Sequence, residues 1–150
     1  MAPPTNRIPH TAVCDGISEG EALGITTDEI RNIVNAFYAK VQNDPILGPI
    51  FEQEMTEDWD HHLDKMTNFW TTVMFGKQLY KGNPIAAHQK IPTISAEHFE
   101  YWLTLFKQTL EEVCPTTDHV DAFYRRASNM ARVMTQAIGY RPSFAKESLA

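Results

Sequence analysis

A single histidine between two prolines, in Asn83-Pro-Ile-Ala-Ala-His88-Gln-Lys-Ile-Pro92, is the residue of this chain best placed to hold a metal. Pro84 can open a helical turn at its first position, where a missing N–H costs nothing. Pro92 forbids continuation and pushes Ile91 towards extended backbone. His88 therefore sits near the end of about two helical turns. The carbonyl of residue 84 lies four residues back, within reach of one ring nitrogen. That bond would fix the tautomer and leave the other nitrogen for a metal. A surface histidine on a connector fits the same ten residues.

Other polar side chains stand on or beside apolar stripes. Tyr38 flanks the stripe Ile30, Val34, Phe37 and Val41, four residues after Val34. His62 falls on the stripe 59–62–66–69–73, whereas His61 points about 100° away. Trp102 belongs to the run Phe99, Trp102, Leu103, Phe106, Leu110 and Val113. Plain readings exist for the first two: a core-edge tyrosine with its hydroxyl at the surface, and a hydrogen-bonded core histidine.

The elements that must position these residues read as helices throughout. Residues 1–16 carry Pro3, Pro4, Pro9 and Gly16 and little apolar content, which reads as a flexible arm. A short helix is expected from Ile17 to Leu23, with Ser18 and Glu21 spaced as a capping box. Thr26 and Glu29 form a second box, with Ile25 and Ile30 as a hydrophobic staple, before a helix that Asp44-Pro45 ends. Leu47-Gly-Pro-Ile-Phe51 reads as an apolar corner. Thr56 is expected to cap the next helix, with Glu57, Asp58 and Asp60 in its first turn and Gly76 at its end. After a polar loop over 77–83 and the His88 segment, Ser95 caps a third long helix that stops at Cys114-Pro115. Its staple is Ile94 and Phe99. The last helix starts near Thr117-Asp118, with Val120, Phe123, Ala127, Met130 or Ala131, Met134 and Ala137 inward. No segment alternates as a strand should. The chain is expected to be all-α, its long helices paired in two layers, with His88 on the connector between the second and third.

Several chemistries find no support in residue type and spacing. Cys14 and Cys114 belong to no zinc or disulfide pattern. A di-iron site needs two Glu-x-x-His copies, and only Asp58-x-x-His61 comes near. No nucleophile motif or phosphate-cradling glycine loop is present. The net charge of −6 argues against nucleic acid as a partner. No run is long and apolar enough for a membrane span, and no secretory signal follows Met1, so a cytoplasmic protein is expected.

One arrangement uses the whole pattern: a planar cofactor with an axial imidazole, apolar walls and a few polar groups over its open face. His88 would supply the imidazole. Phe37, Phe51, Met66, Phe69, Ile91, Ile94 and Trp102 would supply walls, with Tyr80 on the neighbouring loop. Tyr38, His62 and the Trp102 indole N–H would supply the polar groups. At this point the chain resembles the truncated haemoglobins, and in detail their third group. The resemblance rests on Phe37-Tyr38-x-Lys40-Val41, Leu47-Gly-Pro-Ile-Phe51, Trp59-x-x-His62-x-x-Lys65-Met66-x-Asn68-Phe69-Trp70, Gly82-x-Pro84-x-x-x-His88 and Phe99-Glu-x-Trp102-Leu-x-Leu105-Phe106. It runs through residues 26–138. The paired glycines of the first two groups are absent.

The resemblance implies a truncated 2-over-2 globin-like helical sandwich, with residues 1–25 as an arm, 26–138 as the globin domain and 139–150 as a tail. It implies haem b (iron protoporphyrin IX) with His88 as the iron ligand. Tyr38, His62, Met66 and Trp102 then face the bound gas, Phe51 packs on the porphyrin, and Lys65 faces a propionate. Small gases (O2, NO, CO) and an external reductase are the expected partners. Redox chemistry on reactive nitrogen or oxygen species, of NO dioxygenase or peroxidase kind, is the first reading. A haem-based sensor or oxygen carrier is the second. A haem-free helical interaction module is the third, and it would be colourless.

Overall fold

The computed structural model describes residues 17–139; the flexible segment expected for 1–16 and the tail after Gly139 lie outside the described residues. Seven helices and no strand are found among the described residues. They are α1 (Glu19–Leu23), α2 (Thr27–Asn43), α3 (Leu47–Glu54), α4 (Trp59–Phe75), α5 (Pro84–Gln89), α6 (Ala96–Val113) and α7 (Thr117–Ile138).

Local chemistry sets the ends. Ser18 and Glu21 close a complete capping box on α1, and Gly24 ends it in the left-handed conformation (φ 75°). Thr26 caps α2 by accepting from the Glu29 N–H at 3.1 Å. The expected reciprocal bond is missing, because the Glu29 carboxylate turns instead to His119 on α7, 2.8 Å away. Thr56 does not cap α4. Asp58 does, accepting from the His61 N–H at 2.8 Å, and this leaves Glu57 outside the helix. The apolar corner at Leu47 is itself helical, and the Asp44 carboxylate before it accepts from the Ile46 and Leu47 N–H groups at 2.9 and 2.8 Å. At α6, His98 takes the place an acid holds in a capping box, its Nδ1 accepting from the Ser95 N–H at 3.0 Å.

Helices α2 and α4 pack as one pair and α6 and α7 as another, with α2 crossing onto α6. This is the expected two-over-two sandwich. Phe37, Phe106 and Phe123 are its largest fully buried side chains. Phe106 meets Phe37 edge-on at 5.1 Å and stacks on Trp70 at 5.2 Å. Each such pair contributes about 0.5–1.5 kcal/mol beyond its buried area. On α7 the inward residue is Ala131, and Met130 is half-buried beside the core.

Helix α1 is docked on the sandwich against α4 and α7. Glu19 takes both Arg125 and Arg126 of α7. Gly20 permits the approach to α4, since a Cβ there would lie 2.8 Å from Phe75 and 2.9 Å from the Met74 carbonyl oxygen.

Candidate functional site

The short helix α5 is built as its prolines require. Pro84 occupies its first turn, and Asn83 caps it, accepting from the Ala86 N–H at 3.1 Å. His88 Nδ1 lies 2.6 Å from the Pro84 carbonyl oxygen, the bond expected from the four-residue spacing. Since a carbonyl only accepts, Nδ1 carries the proton and Nε2 keeps its lone pair. The ring rests 5.5 Å from Phe99 of α6. Gln89 ties α5 to α7 through a 2.8 Å bond to the Ala137 carbonyl. Ile94 and Phe99 are buried in a small second cluster with Ala131 and Met134, and Ile91 packs against it. His88 is thus braced from two helices and by its own helix.

The second group of candidates gathers where α2, α3 and α4 meet. Tyr38 is buried, its ring 5.1 Å from His62, 5.7 Å from Phe51 and 5.9 Å from Trp59. His62 also meets Phe51 and Trp59, edge-on in each case. Helical register decides the two histidines: the His62 side chain is 13% exposed and that of His61 67%. Phe37 joins this cluster to α6, with Tyr38 at 4.9 Å and Trp102 at 5.7 Å. Trp102 stacks on Phe106 at 5.3 Å. Phe69 meets Tyr80 edge-on at 5.1 Å, so the loop after α4 folds back over that helix. The Leu79 and Tyr80 N–H groups fasten it there by donating to the Thr72 hydroxyl.

The electrostatics of this cluster follow from burial. Burial, with Tyr80 adding to it, pushes the Tyr38 phenol far above its ordinary range, so its hydroxyl keeps its proton. Burial also lowers the His62 pKa against the opposing pull of Glu57, which keeps the ring neutral at pH 7. His62 Nε2 is buried without any hydrogen-bond partner among the described residues. Such a group costs about 1–3 kcal/mol when nothing pairs with it.

Apolar side chains around these groups are left half-covered: Phe51, Met66, Phe69, Ile91 and Trp102 are each partly exposed. Nearby, Leu79 and Ile85 are 47% and 38% exposed. Braced imidazole, half-covered apolar surface and the unpaired Nε2 of His62 together fit an iron porphyrin. No cluster of three or more His, Cys, Asp or Glu able to hold a bare metal occurs among the described residues. Two surface grooves, of about 410 Å³ between α1 and α7 and about 280 Å³ between α6 and α7, are lined by none of His88, Tyr38, His62 or Trp102.

Lys65, expected at a propionate, is paired with Glu57, its Nζ 2.9 Å from the carboxylate. Glu57 escaped the sequence reading, which placed it in the first turn of a helix. The signal was faint: an acid five residues before a histidine shares no helical face with it. Cys114 is no reactive thiol. Burial, with Glu29 adding charge and a hydrogen bond, raises its pKa to about 12.

Comparison with known proteins agrees with this architecture. Residues 21–136 match the family model of bacterial-like globins. The chain is 37% identical over 92 residues to the group 3 truncated haemoglobin ctb of Campylobacter jejuni, covering 59% of this chain and 72% of that protein. It is 30% identical over 97 residues to the group 2 truncated haemoglobin YjbI of Bacillus subtilis, covering 62% and 69%. The crystal structure of the Campylobacter jejuni group III truncated haemoglobin superposes with a TM-score of 0.71 at 32% identity, covering 76% of this chain and 91% of that one. No described helix is long and apolar enough to cross a membrane. The chain belongs to the bacterial-like globins and, among them, to the third group of truncated haemoglobins, whose family binds haem and gaseous ligands.

Proposed function

We propose that this protein holds haem b through His88 Nε2 and processes O2, NO or CO in redox chemistry or detoxification of reactive nitrogen or oxygen species. One observation carries the reading. In a single aromatic cluster, the buried Tyr38 ring lies 5.1 Å from His62, whose Nε2 is buried without a hydrogen-bond partner among the described residues. Haem supplies an iron that binds the gas and exchanges electrons with it. The chain supplies the rest. Tyr38 and Trp102 are donors that do not titrate near pH 7, and donors fixed in place stabilise negative charge as it develops on a ligand. Two of them slow ligand escape more than one, which suits processing better than bulk transport. Phe37, Phe51, Met66, Phe69, Tyr80, Ile91 and Ile94 wall off water. Lys65, whose ammonium carries three N–H donors, would meet a propionate while staying paired with Glu57. Continued turnover needs an external reductase, consistent with work in the cytoplasm.

The absorption spectrum of the purified protein is the first test. A haem protein is coloured, and a haem-free helical module is not. The second test exposes the reduced, O2-equilibrated protein to NO and measures nitrate. With an electron donor supplied, several nitrates per haem support the redox reading, whereas a coloured protein that stops at one per haem or forms none favours a sensor or carrier.

A further inference from the structure

We propose that Glu57 is a positioning residue that places the proton of His62 on Nδ1, holds the ring inward and turns the Nε2 lone pair into the pocket. Its consequence for ligands rests on the haem reading above, while its geometry does not. Because Asp58 caps α4, Glu57 lies just outside the helix, and its side chain folds back over the first two turns. The carboxylate meets Lys65 Nζ at 2.9 and 3.2 Å, His62 Nδ1 at 3.4 Å and His61 Nε2 at 3.6 Å.

The His62 contact is long for a hydrogen bond, yet it decides where the proton sits. A neutral imidazole has one N–H to place. On Nδ1 that N–H points at a carboxylate. On Nε2 it would be buried with no acceptor in hydrogen-bonding position among the described residues, the ring being packed edge-on against Tyr38, Phe51 and Trp59. Leaving a buried donor unpaired costs more than leaving it in contact with an anion. Lys65 reinforces the arrangement: its hydrogen bond does most to hold the Glu57 carboxyl below the usual range, so the acceptor stays ionised.

The pocket then offers donors from Tyr38 and Trp102 and an acceptor from His62. A ligand bearing a proton of its own, such as a hydroperoxide, is met by both kinds of group. A bare diatomic is met by the donors alone.

The test is ring ¹⁵N correlation spectroscopy on the full-length protein and on Glu57→Ala and Glu57→Gln. Native His62 should show a protonated Nδ1 and an unprotonated Nε2. Glu57→Gln, which retains an acceptor oxygen, should preserve that state, and Glu57→Ala should shift it towards Nε2–H. In the reduced, haem-loaded Glu57→Ala protein, CO should associate about two- to fivefold faster, as expected for loss of a partly exposed ionic contact. Native His62 protonated on Nε2, or a tautomer indifferent to Glu57→Ala, overturns the proposal. A shifted tautomer with an unchanged CO rate overturns the claim that Glu57 holds the ring inward. A colourless protein whose native His62 is still protonated on Nδ1 refutes the haem reading alone and leaves the Glu57 assignment standing.

Discussion

Glu29→Gln should destabilise the fold in mildly acidic solution and progressively less as pH rises. Both ring nitrogens of His119 face acceptors, Nδ1 the Glu29 carboxylate at 2.8 Å and Nε2 the Leu23 carbonyl at 2.8 Å, so the ring is held as imidazolium. Burial works against that charge. The Glu29 hydrogen bond, the Leu23 carbonyl and the nearby charges of Glu29 and Asp118 outweigh it and raise the His119 pKa above 6.5. A histidine with a raised folded pKa stabilises the fold fully below its unfolded pKa, and that contribution is lost as pH climbs through the folded value. The two side chains are 10% and 11% exposed, so solvent screening is slight. A charge-assisted hydrogen bond contributes about 1.5–3 kcal/mol. In a chain of 150 residues each kcal/mol moves Tm by about 2–4 °C, so the variant should melt roughly 3–12 °C below the native protein near pH 6. The substitution spares the Thr26 cap, which uses the Glu29 main-chain N–H. Cys114, with a pKa near 12, stays neutral throughout. Thermal unfolding of both proteins at matched haem content, in steps from about pH 5.5 to about pH 9.5, reads the difference. A Tm gap that is independent of pH, or that widens on the alkaline side, would show that His119 is not held charged.

Three further outcomes follow from the site. His88→Ala, expressed with excess haem, should lose the normal ferrous spectrum and recover it with added imidazole; a normal spectrum without imidazole rules out His88 as the ligand. Tyr38→Phe and Trp102→Phe should each speed O2 dissociation about ten- to a hundredfold, from the loss of about 1.5–3 kcal/mol. Unchanged off-rates in both single variants and the double variant would refute their role as donors. His62→Leu should alter CO entry more than haem retention, and His61→Leu should do little to either, because the His61 side chain is 67% exposed. Rapid-mixing CO binding checks this, and the reverse ranking would place the wrong histidine in the pocket.

Much of this molecule is legible in its sequence. Prolines, caps and apolar periodicity act over three to five residues, so the all-α class, the stripes on the long helices and the His88–Pro84 bond could all be read locally. The same short range separated His62 from His61, since one residue of helical register turns a side chain by about 100°. What only the tertiary structure decided are choices between competing partners. Glu29 has the spacing of a capping-box acid, yet a buried imidazolium 90 residues away is a better partner than a main-chain N–H that water also satisfies. Thr56 and Asp58 are both able caps, and the choice of Asp58 puts Glu57 outside α4 and within reach of His62. Met130 and Ala131 are one register step apart, and only the close packing of α7 on its neighbours takes the smaller residue inward. Each of these depends on groups that the chain brings together from afar, and no local pattern records which one wins.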